Sequence, residues 1–506
     1  MTLQSIDIQE KKTGKKLYAY QLDAIDQIFE SLNRFPEKHN LLYQLPTGGG
    51  KTVIFTEIAK RFIKETGKKV LILTHRIELC AQTSNMLTEF DVHNKIINSK
   101  VKTLPDQDNY MCFVAMVETL NNRLNDEMLE MENVGMVIID EAHYNSFSKL
   151  FKFFEHSVIL GVTATPLSSN IKLPMNENYN ELIVGHSIVE LIEKGFLSRA
   201  TTYGYDVNLS SLKIGIDGDY TVSSSERLYT ASVMQEKLIH AYEETSLGKK
   251  TLIFNNGINT SQYVYELFSK AGYEIKHLDH THSDEERKNI LQWFKHKPDA
   301  ILTSVGILTT GFDEPTVESI ILNRATKSLT LYHQMIGRGS RILPDKSMFT
   351  VVDLGNNALR FGLWDSPVDW YAIFRSPDFY YQNLSNDEDL QRQFKYKMPA
   401  SLRERFSKSE TVEFNMQEEY ELVKNEGLRP KVTLDRSIEQ HAKMCAENSE
   451  DASDAFSLAK LLEDDIDYRV RKYSYCICKH TDNYVKWLQE DYKSKLNLVL
   501  NKKFLS

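Results

Sequence analysis

Leu45-Pro46-Thr47-Gly48-Gly49-Gly50-Lys51-Thr52 joins a short apolar run, residues 41–45, to a helical pattern that begins at Val53. A glycine-rich turn between a strand and a helix leaves successive backbone N–H groups facing one concavity, where the positive end of the helix dipole also lies. Such a concavity binds phosphate. Thr47, Gly48, Gly49 and Gly50 supply the cradle, Lys51 is placed to reach the β and γ phosphates, and the Thr52 hydroxyl to ligate Mg²⁺. The strict form of this pattern has glycine where this chain has Leu45. Taken alone, the run therefore leaves a plain glycine turn open, and the surrounding sequence decides.

Outward from that turn, short apolar and β-branched runs alternate with longer helical patterns. Residues 41–45, 70–74, 112–116, 136–140 and 158–163 read as buried strands of a parallel sheet. The rhythm resumes at 251–254, 300–304, 319–323 and 349–354, after a polar stretch that holds Gly215, Gly218, Ser223, Ser224 and Ser225. An α/β fold with two tandem parallel sheets follows. The expected domains are 1–198, 199–360 and an accessory, mainly helical region over 361–506; Gly195 closes an amphipathic segment at the first boundary.

The 506 residues exceed one ordinary core, and 41% hydrophobic with 26% charged residues fits a globular chain. A net charge of −9 argues against blanket coating of nucleic acid without excluding a local basic cleft. Five scattered cysteines suit a reducing compartment, with a cytoplasmic setting expected. No uninterrupted apolar run approaches the roughly 18 residues of a membrane span, so no membrane role is expected.

Residues 136–140 lead into Asp140-Glu141-Ala142-His143, an acidic pair at the carboxyl end of an expected strand, where open α/β sheets place ligands. Asp140 suits a water-mediated hold on Mg²⁺, and Glu141 suits orienting and polarising an attacking water.

With these residues in place, the chain resembles the superfamily 2 DEAD/DEAH-box helicases. Residues 46–52 correspond to motif I, 140–143 to motif II in its DEAH spelling, Thr163-Ala164-Thr165 to motif III, and Gln334-Met335-Ile336-Gly337-Arg338-Gly339-Ser340-Arg341 to motif VI. The resemblance covers roughly residues 15–360. Within it, residues 337–341 and Asp353-Leu354-Gly355-Asn356-Asn357 look like RadD-type DNA-repair helicases, with type I restriction translocases, XPB-like and phage UvsW-like helicases as near alternatives. It implies two RecA-like domains forming an ATP cleft, with ATP and Mg²⁺ as cofactors. It also implies DNA, more than RNA, as the partner of a monomeric motor. A duplex translocase without strand separation, an RNA helicase and a non-hydrolysing ATP-clamped adaptor are the alternatives.

The resemblance also implies roles residue by residue. Gln21 is similar to the glutamine that reads adenine. Tyr18 and Ala19 stand where many relatives have arginine and proline; Tyr18 either stacks on the base or, like Tyr20, anchors the core. Thr74, His75 and Arg76 resemble motif Ia, and Thr119 a neighbouring grip motif. With Asn256 of motif IV and Thr303 of motif V, they are expected on sugar and phosphate, which a motor grips without reading bases. For Arg76, pairing with Glu78 or capping a helix stays open. Gly311 and Asp313 of motif V are expected toward the nucleotide, and His143, Thr163 and Thr165 in domain coupling. Gln334, Arg338 and Arg341 join Glu141 in catalysis, the arginines reaching the γ-phosphate from the second sheet.

Past residue 360 the alternation fades. Residues 447–467 hold eight acids against Lys460 alone, and residues 469–503 hold nine Lys or Arg against three acids. Helix faces that attract each other are the expectation. Tyr473, Tyr475, Tyr484, Trp487 and Tyr492 interleave with the basic residues, which leaves nucleic-acid stacking and an ordinary helical cap both open. Cys476, Cys478 and His480 have poor spacing for zinc.

Overall fold

The computed structural model of the protein describes residues 17–35, 39–104, 106–126, 131–170, 172–216, 218–309, 311–382, 384, 398–477 and 482–505. Thr310, Cys478 and His480 lie outside them.

The first lobe is a parallel sheet of β1 (Leu41–Gln44), β2 (Lys69–Thr74), β3 (Asn94–Ile97), β4 (Cys112–Met116), β5 (Val134–Asp140), β6 (Val158–Thr163) and β7 (Glu181–Val184). Their order is β3-β4-β2-β5-β6-β1-β7. The second is a parallel sheet of β8 (Arg199–Gly204), β9 (Thr251–Asn255), β10 (Ile275–Leu278), β11 (Ile301–Ser304), β12 (Ser319–Asn323) and β13 (Met348–Asp353), in the order β10-β11-β9-β12-β13-β8. Both sheets are covered by helices on their two faces, which is why the central strands are apolar at every position. Val70 and Ile72 of β2 enter one apolar cluster while Leu71 and Leu73 enter another; Met136 and Ile138 of β5 part from Val137 and Ile139 in the same way. Each such fully buried aliphatic side chain contributes about 1.5–3 kcal/mol relative to exposure. The first of these clusters continues through Leu197 into Leu252, Ile320 and Val351 of the second lobe.

Ser223, Ser224 and Ser225, read from sequence as part of a polar connection, instead lie in the helix Val222–Tyr229, with Ser224 and Ser225 buried. The Ser224 hydroxyl donates to the Thr221 carbonyl and Ser225 receives a bond from Asn256, so side-chain bonding satisfies what composition suggested was solvated.

After β13 the chain crosses both lobes. Trp364 is buried against the second, and Phe374, from the helix Trp370–Arg375, enters the first-lobe cluster. The helices Met416–Asn425, Lys431–Asn448, Ala452–Leu461, Glu463–Cys476 and Asp482–Leu505 then form a bundle with its own core of Leu434, Ile438, Leu458, Ile466, Val470, Tyr492 and Leu496. Charge reversal along this region becomes contact: Glu463 with Lys493, and Asp467 with Arg471 at 3.0 Å. Tyr473 and Tyr492 are core residues, so the aromatic stripe is largely structural; Trp487 remains half-exposed. No helix among the described residues is long and apolar enough to cross a membrane.

Candidate nucleotide site between the lobes

The loop after β1 turns at Gly48 and Gly50, whose φ angles of 94° and 85° favour glycine, and the helix Lys51–Thr66 starts there. Tyr20 fixes the loop by donating to the Gly49 carbonyl at 2.7 Å, and burial pushes its phenol up to about 12. Gln21 is buried: its Oε1 accepts from the Tyr18 amide at 3.0 Å, and its Nε2 lies 2.6 Å from where a Cβ on Gly50 would sit. In this structure it braces the loop. Tyr18 is half-exposed, its ring against Phe196 at 4.5 Å between centroids.

β5 delivers the acidic pair beneath this loop. Asp140 Oδ1 accepts from the Glu141 amide at 3.0 Å, and Glu141 adopts a left-handed φ of 52°. The two carboxyls share one buried site with Lys51, so their titrations are coupled. Burial, then the Glu141 charge, pushes Asp140 up to about 7. Burial acts on Glu141 in the same direction, but Lys51, His143 and Arg338 outweigh it and hold Glu141 below its usual range. Lys51 is lowered by burial, opposed by both carboxylates. Glu141 Oε2 and Thr47 Oγ1 are buried without a hydrogen-bond partner. A cradle of amides and one ammonium, with a carboxylate and a hydroxyl of Thr52 beside it, fits a Mg²⁺-nucleotide: Mg²⁺ keeps several waters and takes few protein ligands.

His143 links the acids to the second lobe. Its Nδ1 lies 3.1 Å from Thr163 Oγ1 and 3.4 Å from Glu141 Oε2, and its Nε2 lies 3.3 Å from Gln334 Nε2. An amide nitrogen only donates, so the imidazole Nε2 accepts and the proton sits on Nδ1. Burial keeps this ring neutral, its pKa lowered to about 4. Thr163 Oγ1 bonds the Thr165 carbonyl at 3.0 Å, and Thr165 Oγ1 donates across the lobes to Thr330 Oγ1 at 2.8 Å. Thr330 was not singled out from sequence; its position four residues before Gln334, on one face of the helix Leu329–Ile336, is the signal that marks it.

The arginines meet the loop. A Cβ on Gly48 would lie 2.7 Å from Leu197 Cδ2, 2.9 Å from Ser340 Oγ and 3.1 Å from Arg341 Nη1; one on Gly337 would lie 2.6 Å from Thr47 Cβ. Arg341 Nε pairs with Asp313 at 2.7 Å, and Arg338 donates to the Thr309 carbonyl at 2.6 Å and the Phe312 carbonyl at 2.5 Å. Arg338 is lowered to about 10 by burial and by Arg341, and so stays cationic. Gly311 accepts from Gln82 of the first lobe at 2.7 Å.

The expected nucleic-acid contacts divide. Thr74 and Thr303 are wholly buried: Thr74 Oγ1 bonds the Arg76 carbonyl, and Thr303 Oγ1 accepts from Asn255 at 2.8 Å. Neither hydroxyl reaches the surface, because each satisfies a polar group at a strand end. Arg76, rather than pairing with Glu78, donates to the Ile307 carbonyl of the second lobe at 2.9 Å. His75 packs on Tyr144 at 4.2 Å, Thr119 is half-buried in the first turn of the helix Val117–Asn125, and Asn256 donates to the Tyr220 carbonyl at 3.1 Å. Asp353 is a staple, accepting from Gly355, Asn357 and Ala358.

A family model for the type III restriction enzyme res subunit matches residues 14–168, and one for the helicase conserved C-terminal domain matches residues 233–343. Both matches, with the motifs above, make the chain similar to the superfamily 2 helicases. IRC3 of Saccharomyces cerevisiae, a protein named for an inferred ATP-dependent helicase activity, is 30% identical over 69% of this chain and 54% of its own length. The EcoAI endonuclease subunit, a type I restriction enzyme of Escherichia coli, is 25% identical over 69% of this chain and 47% of its own length. The chain thus spans about half the length of these curated relatives. Among solved structures, a fragment assigned to a type I HsdR subunit from Vibrio vulnificus aligns with a TM-score of 0.52 and 22% identity over 67% of this chain and 64% of that one. The type ISP restriction-modification enzyme LlaBIII aligns with a TM-score of 0.52 and 13% identity over 97% of this chain and 43% of its own. At those identities the likeness is one of fold, and the fold is RecA-like in both lobes.

Proposed function

We propose that this superfamily 2 chain is an ATP-hydrolysing DNA motor, a helicase or translocase in which nucleotide turnover drives one lobe against the other. One observation carries the reading: Arg338 and Arg341 of the second lobe converge on the loop and acids of the first, with Arg341 Nη1 beside Gly48. Gly48, Gly49, Gly50 and Lys51 hold the triphosphate. Thr52 and Asp140 would hold Mg²⁺, which would supply charge neutralisation on the phosphates. Glu141 Oε2 accepts a hydrogen bond from the attacking water and orients it toward the γ-phosphorus as the bond to the β–γ bridging oxygen breaks. Arg338 and Arg341 stabilise the charge that develops. Loss of the γ-phosphate removes what draws both arginines to the loop, and Gln334–His143 and Thr165–Thr330 carry that change between lobes.

DNA rather than RNA is supported by the restriction enzymes among the relatives, and a repair, recombination or replication setting by the RadD-type spelling of residues 337–341 and 353–357. The test is ATP turnover compared across single-stranded DNA, duplex DNA, forked DNA and RNA. Stimulation by DNA is expected, and indifference to every nucleic acid overturns the reading. The likeness to type I restriction subunits favours a second form, a duplex translocase that separates no strands. Triplex displacement without strand displacement would select it.

A further inference from the structure

The segment after Arg341 folds back beneath it. Leu343-Pro344-Asp345-Lys346 makes a tight turn, Leu343 N donating to Lys346 O at 3.2 Å and Lys346 N to Leu343 O at 3.0 Å, with proline at the position such turns favour. The turn sends Lys346 inward, and the residue is buried. Its Nζ donates to the carbonyls of Pro315, Gly339 and Arg341, each at 2.8 Å. An ammonium has three N–H donors, and main-chain oxygens take all three. A buried charge left unmatched would cost far more than this one does.

The three carbonyls belong to two loops. Pro315 lies two residues past Asp313 of motif V, while Gly339 and Arg341 lie in motif VI, and Arg341 Nε pairs with that same Asp313 at 2.7 Å. The passage between the lobes joins them: Ser198 Oγ lies 2.8 Å from the Arg341 carbonyl and 3.1 Å from the Lys346 carbonyl, and Leu197 bridges Arg341. One ammonium therefore bolts together both loops that meet the nucleotide, at the point where the lobes are joined.

We propose that Lys346 is a positioning residue for ATP hydrolysis, its ammonium fixing the main chain of Arg341 so that the guanidinium arrives at the γ-phosphate in register. This deepens the motor reading and rests on it. An arginine side chain is long and rotatable, so its reach is set by where its main chain is held. Misplacement by about 1 Å at a reacting centre costs on the order of 100-fold in rate. A neutral amine would bring two N–H groups to three carbonyls and turn a lone pair on the third. Losing the proton thus loosens the block.

Burial lowers Lys346 from 10.5 to about 8, opposed by Glu318, helped by Arg341 and opposed again by Glu314. Asp345 beside it in the chain and Arg199 at the start of β8 are exposed. The folded chain gives up this proton before the unfolded one does, so its loss adds to stability as pH rises from about 8 toward 10.5. Turnover should move the other way. A lysine that served structure alone would not separate the two.

The test is the pH profile of single-turnover hydrolysis at saturating ATP, Mg²⁺ and DNA, run beside ATP affinity and the melting temperature. In the wild type the rate is expected to fall about tenfold or more as pH rises through about 8, while the melting temperature holds. Lys51 is the other buried ammonium near the arginines, and its deprotonation would show in ATP affinity, which is expected to stay within about twofold. Lys346→Met is expected to give the low rate at every pH. In Arg341→Ala, which leaves position 346 untouched, the fall is expected to vanish, and adding Lys346→Met is expected to cost nothing further. A wild-type rate flat across pH 8, a fall that persists in either variant, or ATP affinity and melting temperature declining in step with the rate would each overturn the inference and leave the motor standing. A wild-type chain that hydrolyses no ATP overturns the motor reading and takes this inference with it.

Discussion

In the C-terminal bundle, Asp465 is matched on two sides, by Arg469 at 2.9 Å and by His441 at 2.9 Å, and His441 is held in turn by the Tyr492 hydroxyl at 3.0 Å. In the interlobe cleft, Asp140 and Glu141 crowd one ammonium, and Glu141 Oε2 is buried with no hydrogen-bond partner. Both places bury charge, but the first satisfies its carboxylate from within the bundle and so fixes one arrangement. The second keeps its carboxylates in competition and distributes the answering cations over two bodies. Self-sufficient networks specify structure, whereas networks completed only across a boundary can be switched.

That contrast can be broken most directly at the arginines. Arg341→Ala and Arg338→Ala are expected to lower the rate of ATP hydrolysis by about 10³–10⁵-fold in single-turnover assays, with nucleotide still bound. Glu141→Gln is expected to cost about 10²–10⁴-fold in the same assay. It should also hold ATP unhydrolysed, seen as a nucleotide that survives gel filtration. In the bundle the outcome should be of the other kind. Asp465→Ala leaves Arg469 buried without its carboxylate and should destabilise the bundle by about 3–5 kcal/mol, read as a lowered chemical-denaturation midpoint, while ATP turnover persists. Equal loss of stability and turnover would erase the distinction between the two regions.

Acid provides a finer test. Burial, with Arg469 already answering Asp465, keeps His441 neutral, its pKa lowered from 6.5 to about 4; burial does the same to His333 in the second lobe. Because the unfolded chain binds protons first, stability is fully present above pH 6.5 and is lost as pH falls toward 4. A melting temperature flat above that range and declining below it is expected, with His441→Gln flattening only the bundle's share. The smallest effect belongs to Thr165→Val, which removes the bond to Thr330. About 1 kcal/mol of interlobe contact is expected to go, measured as weaker coupling between ATP and DNA affinity with basal turnover near wild type.

The central strands were legible because they are buried on both faces. Residues 112–116, 158–163 and 319–323 were read with the bounds the structure shows, Cys112–Met116, Val158–Thr163 and Ser319–Asn323. The strands that were missed, β3, β7, β8 and β10, are the four sheet edges. An edge is half-solvated, so Asn94-Lys95, Arg199 and Lys276-His277 interrupt the apolar run that marks a strand. In the site, motifs I, II and VI were readable since their chemistry lies in residue type and spacing. The burial of Thr74 and Thr303 was not legible, because spacing does not say which way a hydroxyl faces. Thr330 and Gln82 act through partners more than a hundred residues away in sequence.

The passage from the first sheet to the second is short, running from the helix Ile188–Glu193 through Gly195 at φ 74° to β8 at Arg199. It is stitched down on the way, Ser198 N to the Ser340 carbonyl at 2.8 Å, and Leu197 rests over Gly48. On the proposed reading, the pivot of the motor therefore sits beside the loop that takes the nucleotide. A displacement of an ångström at the phosphates is geared up with distance from that pivot, and the far rim of the second sheet sweeps the longest arc.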